Sequence, residues 1–294
     1  MRGLGQYYMS RVIKLGLLNQ EKLLDAVLSA PVIERGKFDW TVTDVVDART
    51  AEIPFVFGNL VKYSREGKVI VIDEPAKQQL GADAPNLLEA SAPFVYLPDY
   101  SGLAYLHVWN GIQYDVFPRR FEAIIERAYN EFFVGCEVEP IADYRAFVER
   151  LKSLEKITEL SATVHPPNPL FGRLWGSLDE YIKQRRAAEV NVREKSDAAE
   201  GLATKLLKLM TDLLANPKSV PNQTPSITDA AMLMAADGYG KGKAVGTERG
   251  NKVVIRTSES HKSFSFDQNP SPEALAAIAS QHFSKVSIER DMEH

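Results

Sequence analysis

The chain has 294 residues, is 45% apolar and carries a formal net charge of −4 at neutral pH, which fits one large domain or two ordinary ones and excludes a uniformly basic nucleic-acid binder, though not a local basic patch. A single cysteine, Cys136, excludes an internal disulfide and a multi-cysteine zinc site. No uncharged apolar run reaches the length of a membrane-spanning helix, and Arg11 and Lys14 interrupt the only candidate signal-peptide core, so a cytoplasmic protein without a membrane span is expected.

In chain order, Tyr7 to Leu15 predicts a strand and Asn19 to Leu28 a helix with Leu23, Leu24, Val27 and Leu28 inward. Phe38, Trp40 and Val42 alternate with Asp39, Thr41 and Thr43, the period of two of a strand with unlike faces. Phe55 to Tyr63 is apolar and β-prone; Ser64-Arg65-Glu66-Gly67 predicts a turn into a further strand over Val69 to Ile72.

The stretch from Ala92 to Pro169 carries the clearest pattern. Phe94 to Leu97 predicts a strand, Pro98 to Gly102 a turn, and Leu103 to Trp109 a second strand closed by Asn110-Gly111. Pro118 suits a first helical position, and Phe117, Phe121, Ile124, Ile125, Ala128, Tyr129 and Phe132 recur at helical spacing opposite charged residues. Cys136, Val138 and Pro140 alternate with Glu137 and Glu139, a short strand with one wet face. Asp143 is placed to cap a helix with Tyr144, Phe147, Val148, Leu151 and Leu154 inward, and Ile157 to Val164 is a strand stopped by Pro166-Pro167-Asn168-Pro169. The fold class expected is α+β, antiparallel sheets with helices packed on one face, of ferredoxin-like character in this stretch.

Leu178 to Leu214 predicts helix interrupted by Gly201, with Leu202, Leu206, Leu209, Met210, Leu213 and Leu214 forming a stripe for the body or for another chain. The prolines at 217, 221 and 225 make Asn216 to Pro225 a linker. After it, Ser226 caps a helix to Asp237, strands follow near 243–248, 252–258 and 262–266, Pro272 to Phe283 is helical, and Val286 to Ile288 predicts a last strand. Three units are thus expected: an α+β main body over 1–169, a helical segment and linker over 170–225, and a small α+β unit over 226–294.

No catalytic or metal-ligating residue is assigned, and no cofactor is expected. The glycines at 238, 240, 242 and 246 lack the Gly-Lys-Ser/Thr of a phosphate loop and follow a helix instead of preceding one, so they predict a flexible turn. His107 and His165 could meet on one sheet, with Glu137 or Glu139 as metal ligands or as an acid–base partner, but a structural role is the simpler reading. Glu66-Gly67-Lys68, with Asp44 or Asp47, matches the short acidic-and-lysine pattern of a Mg²⁺-dependent nuclease, the glycine placing it in a turn. Electrostatics offer a stronger candidate. Lys241, Lys243, Arg249, Lys252, Arg256 and Lys262 stand against only Glu248 and Glu259 in that span, six minus two, a local +4 on a predicted β-ribbon that could follow a DNA or RNA backbone.

The segments FVYLPDYSGLAYLHVW and CEVEPIADYRAFVERLKSLEKITELSATV resemble the RexA-type sensor proteins of phage-exclusion systems, over about half of the chain. The chain also resembles uncharacterised bacterial proteins carrying a GNLVKY-like element and a DGYG-like turn, here Gly58–Tyr63 and Asp237–Gly240. The resemblance implies a non-enzymatic, DNA-associated, dimeric protein of phage defence, and it carries over no catalytic residue. The function expected is a non-catalytic nucleic-acid-associated or assembly component of a bacterial phage-defence or mobile-element system, acting as a homo-oligomer. The alternatives are a protein-interaction module without nucleic acid and a Mg²⁺-dependent nuclease.

Overall fold

The computed structural model describes residues 3–130, 133–216, 225–290 and 292–293. The elements run β1 (Leu4–Gly16), α1 (Gln20–Leu28), β2 (Ile33–Arg35), β3 (Phe38–Ala48), β4 (Phe55–Asp73), β5 (Gln78–Leu97), β6 (Gly102–Leu106), α2 (Val116–Ala128), β7 (Val134–Pro140), α3 (Tyr144–Lys152) and β8 (Lys156–Val164). They continue as β9 (Phe171–Gly172), α4 (Gly176–Arg185), β10 (Val190–Lys195), α5 (Leu206–Ala215), α6 (Ile227–Met234), β11 (Gly240–Glu248), β12 (Asn251–Arg256), β13 (Ser263–Asp267), α7 (Pro272–Glu289) and β14 (Met292–Glu293). The class is mixed α+β, and every strand pair among the described residues is antiparallel.

The larger sheet is ordered β13-β1-β6-β5-β4-β3-β2, with β7 also beside β1; the smaller is β10-β8-β11-β12. Alternation along the strands explains why the larger sheet buries both faces. Phe94, Tyr96, Leu103 and Tyr105 point to a core with Leu23 and Leu24 of α1 and Phe117, Phe121 and Ile124 of α2. Val95, Leu97, Ala104 and Leu106 point the other way, to Leu275, Ala279 and Phe283 of α7. A third core lies on the smaller sheet, where Leu160, Val164 and Ala244 meet α3 to α6. Local chemistry sets the helix starts: Asn19 accepts from the Lys22 amide at 2.8 Å, Asp143 from Ala146 at 3.0 Å and Ser226 from Asp229 at 3.1 Å.

The element order of the central stretch is as expected, but its strands divide between sheets. β7 finds β1 as its neighbour, and β8 opens the smaller sheet between β10 and β11. The strands after residue 225 divide too, β11 to β8 and β13 to β1. Several local expectations are corrected. Ser64 to Gly67 is no turn: β4 runs on to Asp73, and Gly67 stays in the ladder because a Cβ there would lie 2.3 Å from the Cβ of Leu87. Helix does not fill 178–214, because Val190 and Val192 complete the open edge of β8 as β10. Val286 to Ile288 is the end of α7, where Val286 continues the stripe of Ala279 and Phe283 at helical spacing. Pro118 is the third residue of α2, and Phe132 of the expected stripe lies outside the described residues. The linker expected over 216–225 falls almost wholly outside them as well.

Candidate functional site

The basic ribbon is formed by β11, β12 and the segment before β13, and other elements bring carboxylates to it. Lys241 Nζ lies 3.0 Å from Glu137 and 3.1 Å from Glu139 of β7. Lys243 pairs with Glu159 of β8 at 2.8 Å, and Arg193 of β10 holds the other oxygen at 2.9 Å. Arg256 pairs with Glu259 at 3.0 Å, and Lys262 with Glu289 of α7 at 3.5 Å. Arg249 and Lys252, at the β11–β12 turn, form no ion pair among the described residues. Acidic groups from Glu137, Glu139, Glu159, Glu259 and Glu289 thus face four of the six cations, although only four of these acids are new to the sequence count and Arg193, Arg150 and Lys285 share Glu159, Glu259 and Glu289.

Of the two histidines that could meet on one sheet, for which a structural role is the simpler reading of the sequence, only one reaches the carboxylates. His165 lies 3.8 Å from Glu137 and 4.0 Å from Glu189, and its Nδ1 faces the Ala188 carbonyl at 3.2 Å. A carbonyl can only accept, so Nδ1 donates to it and Nε2 is the nitrogen turned toward the acids. His107 instead accepts from the Tyr114 amide at 3.0 Å and packs edge-on against the exposed Trp109 ring. Glu139, expected on a wet face, is only 5% exposed, because the smaller sheet covers that side of β7. Burial pushes its carboxyl up to about 8 against the pull of Lys241. Burial likewise raises Glu122 to about 7 and lowers Lys14 to about 8. A crevice of about 300 Å³ opens beside this cluster, lined by Lys14, His165, Asn168 and Tyr239 among others. Among the described residues no group of three or more histidine, cysteine or acidic side chains is arranged to hold a metal ion.

The DGYG turn, expected to be flexible, is a buried junction. Asp237 is 2% exposed and accepts from Tyr144 (2.7 Å), Arg290 (2.7 Å) and Trp175 (2.8 Å), while Arg11 Nε donates to its backbone carbonyl at 2.8 Å. Gly240 is required here, since a Cβ would meet the Thr163 carbonyl oxygen at 2.0 Å. Arg11 of β1 and Arg290 after α7 thus converge on one residue, Arg11 on the Asp237 backbone carbonyl and Arg290 on its carboxylate. The sequence pattern offers no signal for this network, because its members are scattered from residue 11 to 290.

Of two other sequence candidates, the nuclease pattern is dispersed and the leucine stripe is part of a core. Glu66 and Lys68 lie on β4, whereas Asp44 is bonded to Asn59, seven residues back along that strand from Glu66. At about 3.3 Å per residue the separation is roughly 23 Å, too far to share a metal. Asp47 is engaged by Arg49 at 2.7 Å. In the Leu202–Leu214 stripe, Leu206, Leu209, Met210 and Leu213 are buried in the core of the smaller sheet.

The larger unassigned feature is an arm. β3 pairs with β4 only as far as Tyr63, and β6 pairs with β5 only from Phe94. Beyond them β4 and β5 continue alone, in register from Ser64–Leu87 to Asp73–Gln78. Ten residues at about 3.3 Å each give a projection of roughly 33 Å. Both outer edges of this hairpin are unpaired among the described residues. Ile70 and Ile72 are 73% and 71% exposed, and Val71, Leu80 and Leu88 are exposed as well. From Ser64 to Glu89 three basic residues oppose five acidic ones, a net of −2. An arm so charged repels phosphate, while its apolar side chains and open backbone edge favour another polypeptide.

A family model described as Domain of unknown function (DUF4747) matches residues 21–284. No curated protein matches the chain.

Proposed function

We propose that this chain, which belongs to the DUF4747 family, is a non-catalytic assembly component that engages another polypeptide strand through its β4–β5 arm. One observation carries the reading: a two-stranded arm leaves the body with its backbone edges open and with Ile70 and Ile72 more than two-thirds exposed. Unpaired N–H and C=O groups along a flat apolar edge are a template for strand addition, in which main-chain hydrogen bonds supply affinity and alternate side chains supply selectivity. The basic ribbon supports a nucleic-acid role less well, because phosphate there would have to displace carboxylates already within 3.5 Å of four cations.

The test is site-specific photo-crosslinking in cells that make the protein. A benzoylphenylalanine in place of Ile72 should give a discrete adduct, and the same group in place of the exposed Glu180 of α4 should not. Position 72 giving no more adduct than position 180 would overturn the reading.

A further inference from the structure

We infer that the strand received by the arm is the same segment of a second copy of this chain, paired antiparallel across a two-fold axis at Val71. This rests on the arm being the docking element.

The two edges of the arm are not equivalent. The β5 edge is guarded: Pro85 has no N–H to donate, Gly81 weakens the strand, and Asp83 and Glu89 add charge. The β4 edge carries no proline, and Val69, Ile70, Val71 and Ile72 are four consecutive β-branched residues along it. A partner strand of this composition is already present in every copy of the chain.

Symmetry then selects the register. Residues directly opposite in an antiparallel pair share a face, and side chains alternate faces along a strand. Two identical strands related by a two-fold axis therefore place even numbers opposite even and odd opposite odd. With Val71 on the axis, Ile70 of each copy stands opposite Ile72 of the other, and Lys68 falls beside Glu74, the first residue of the turn that follows β4. Four isoleucines meet on one face, flanked by two pairs of opposite charge. With Ile70 on the axis, Lys68 would instead lie over Ile72 and the Glu74 pairing would be lost. The geometry of the arm favours the first register further, because Ile70 lies opposite Gly81 within its own hairpin, so no side chain covers it from that strand. The closed two-fold pair also consumes the open β4 edge, so assembly there stops at two.

Cysteine cross-linking tests both the partner and the register. The native Cys136 is buried and does not compete. Under mild oxidation Val71→Cys should convert most of the chain to a covalent dimer, since residues opposite one another lie within disulfide reach. Ile70→Cys alone and Ile72→Cys alone should stay largely monomeric, and a mixture of the two should cross-link. Val71→Cys giving no more dimer than Glu180→Cys would overturn the inference, as would equal cross-linking by all three single variants. A monomeric Val71→Cys alongside a position-72 adduct to a different protein would leave the arm reading standing and remove the second copy. Loss of any position-72 adduct would remove the arm reading itself.

Discussion

The Asp237 junction and the β4–β5 arm are opposite solutions to the same physical problem. At the junction three buried charges are compensated by hydrogen bonds from several elements, so that the polar groups specify how the two sheets meet. Along the arm, backbone donors and acceptors that the fold could have paired are left facing outward beside exposed isoleucines. Charge density does not distinguish structural from functional regions in this molecule; completeness of partnering does. The basic ribbon belongs with the junction on this measure, because most of its cations already hold an acid.

The widest gap between the two regions should appear in stability. Asp237→Ala leaves Arg290 buried without its carboxylate and removes the acceptor for Tyr144 and Trp175. Breaking one side of a buried pair in this way costs about 3–5 kcal/mol. At concentrations low enough to keep the chain monomeric, Ile70→Lys on the arm should change stability by about 0.5 kcal/mol or less, as exposed substitutions do. Urea unfolding followed by circular dichroism measures both. Similar losses for the two variants would show that the arm is part of the folded core and would dissolve the comparison.

A smaller effect is expected from pH, through the covered face of β7. Burial, opposed by Lys241, raises Glu139 from 4.5 to about 8, and burial raises Glu122 to about 7. The folded state therefore holds protons that the unfolded state has released. The stability contributed by these protonated carboxyls is full below the unfolded value of 4.5 and is lost as pH rises through 7 and then 8. Lys14, lowered to about 8 by burial, acts in the opposite sense only above that value. Burial also lowers three histidines, His107, His261 (to about 4) and His282, and these act in the opposite sense up to their unfolded value of 6.5. The thermal midpoint should therefore fall between about pH 6.5 and pH 8, and Glu139→Gln should flatten that fall. A wild-type midpoint that stays level across this window, or an unchanged slope in the variant, would mean that the face of β7 is hydrated like the arm.

Much of the fold was legible in the sequence because its signals are local. The alternation of Phe94 to Leu97, the stripe of α2 and the caps at Asn19, Asp143 and Ser226 each sit within a few residues. Gly67 misled because a glycine inside a strand resembles a turn, whereas here it admits Leu87. The length of the arm was illegible for that reason. The acids facing the ribbon were illegible for another: Glu137, Glu139 and Glu159 come from strands about a hundred residues earlier, and a window count of charge cannot include them. Arg11, Asp237 and Arg290 are brought together only by the meeting of the two sheets, which no local pattern encodes.

The smallest expected effect concerns the ribbon, and it sharpens the comparison most directly. Each phosphate contact on duplex DNA releases counterions and contributes about −0.9 to the slope of log affinity against log salt. Six free cations would give a slope of roughly −5.4, whereas Arg249 and Lys252 alone would give roughly −1.8. Fluorescence anisotropy of a labelled duplex over a salt series measures this slope. Weak binding no steeper than about −1.8, abolished by Arg249→Glu with Lys252→Glu, is the outcome expected if Lys241, Lys243, Arg256 and Lys262 keep their carboxylates. A slope near −5 would mean that the carboxylates exchange readily for phosphate. In that case partnering in the isolated chain would no longer separate a structural charge from a functional one, and the ribbon would rank with the arm as an interface.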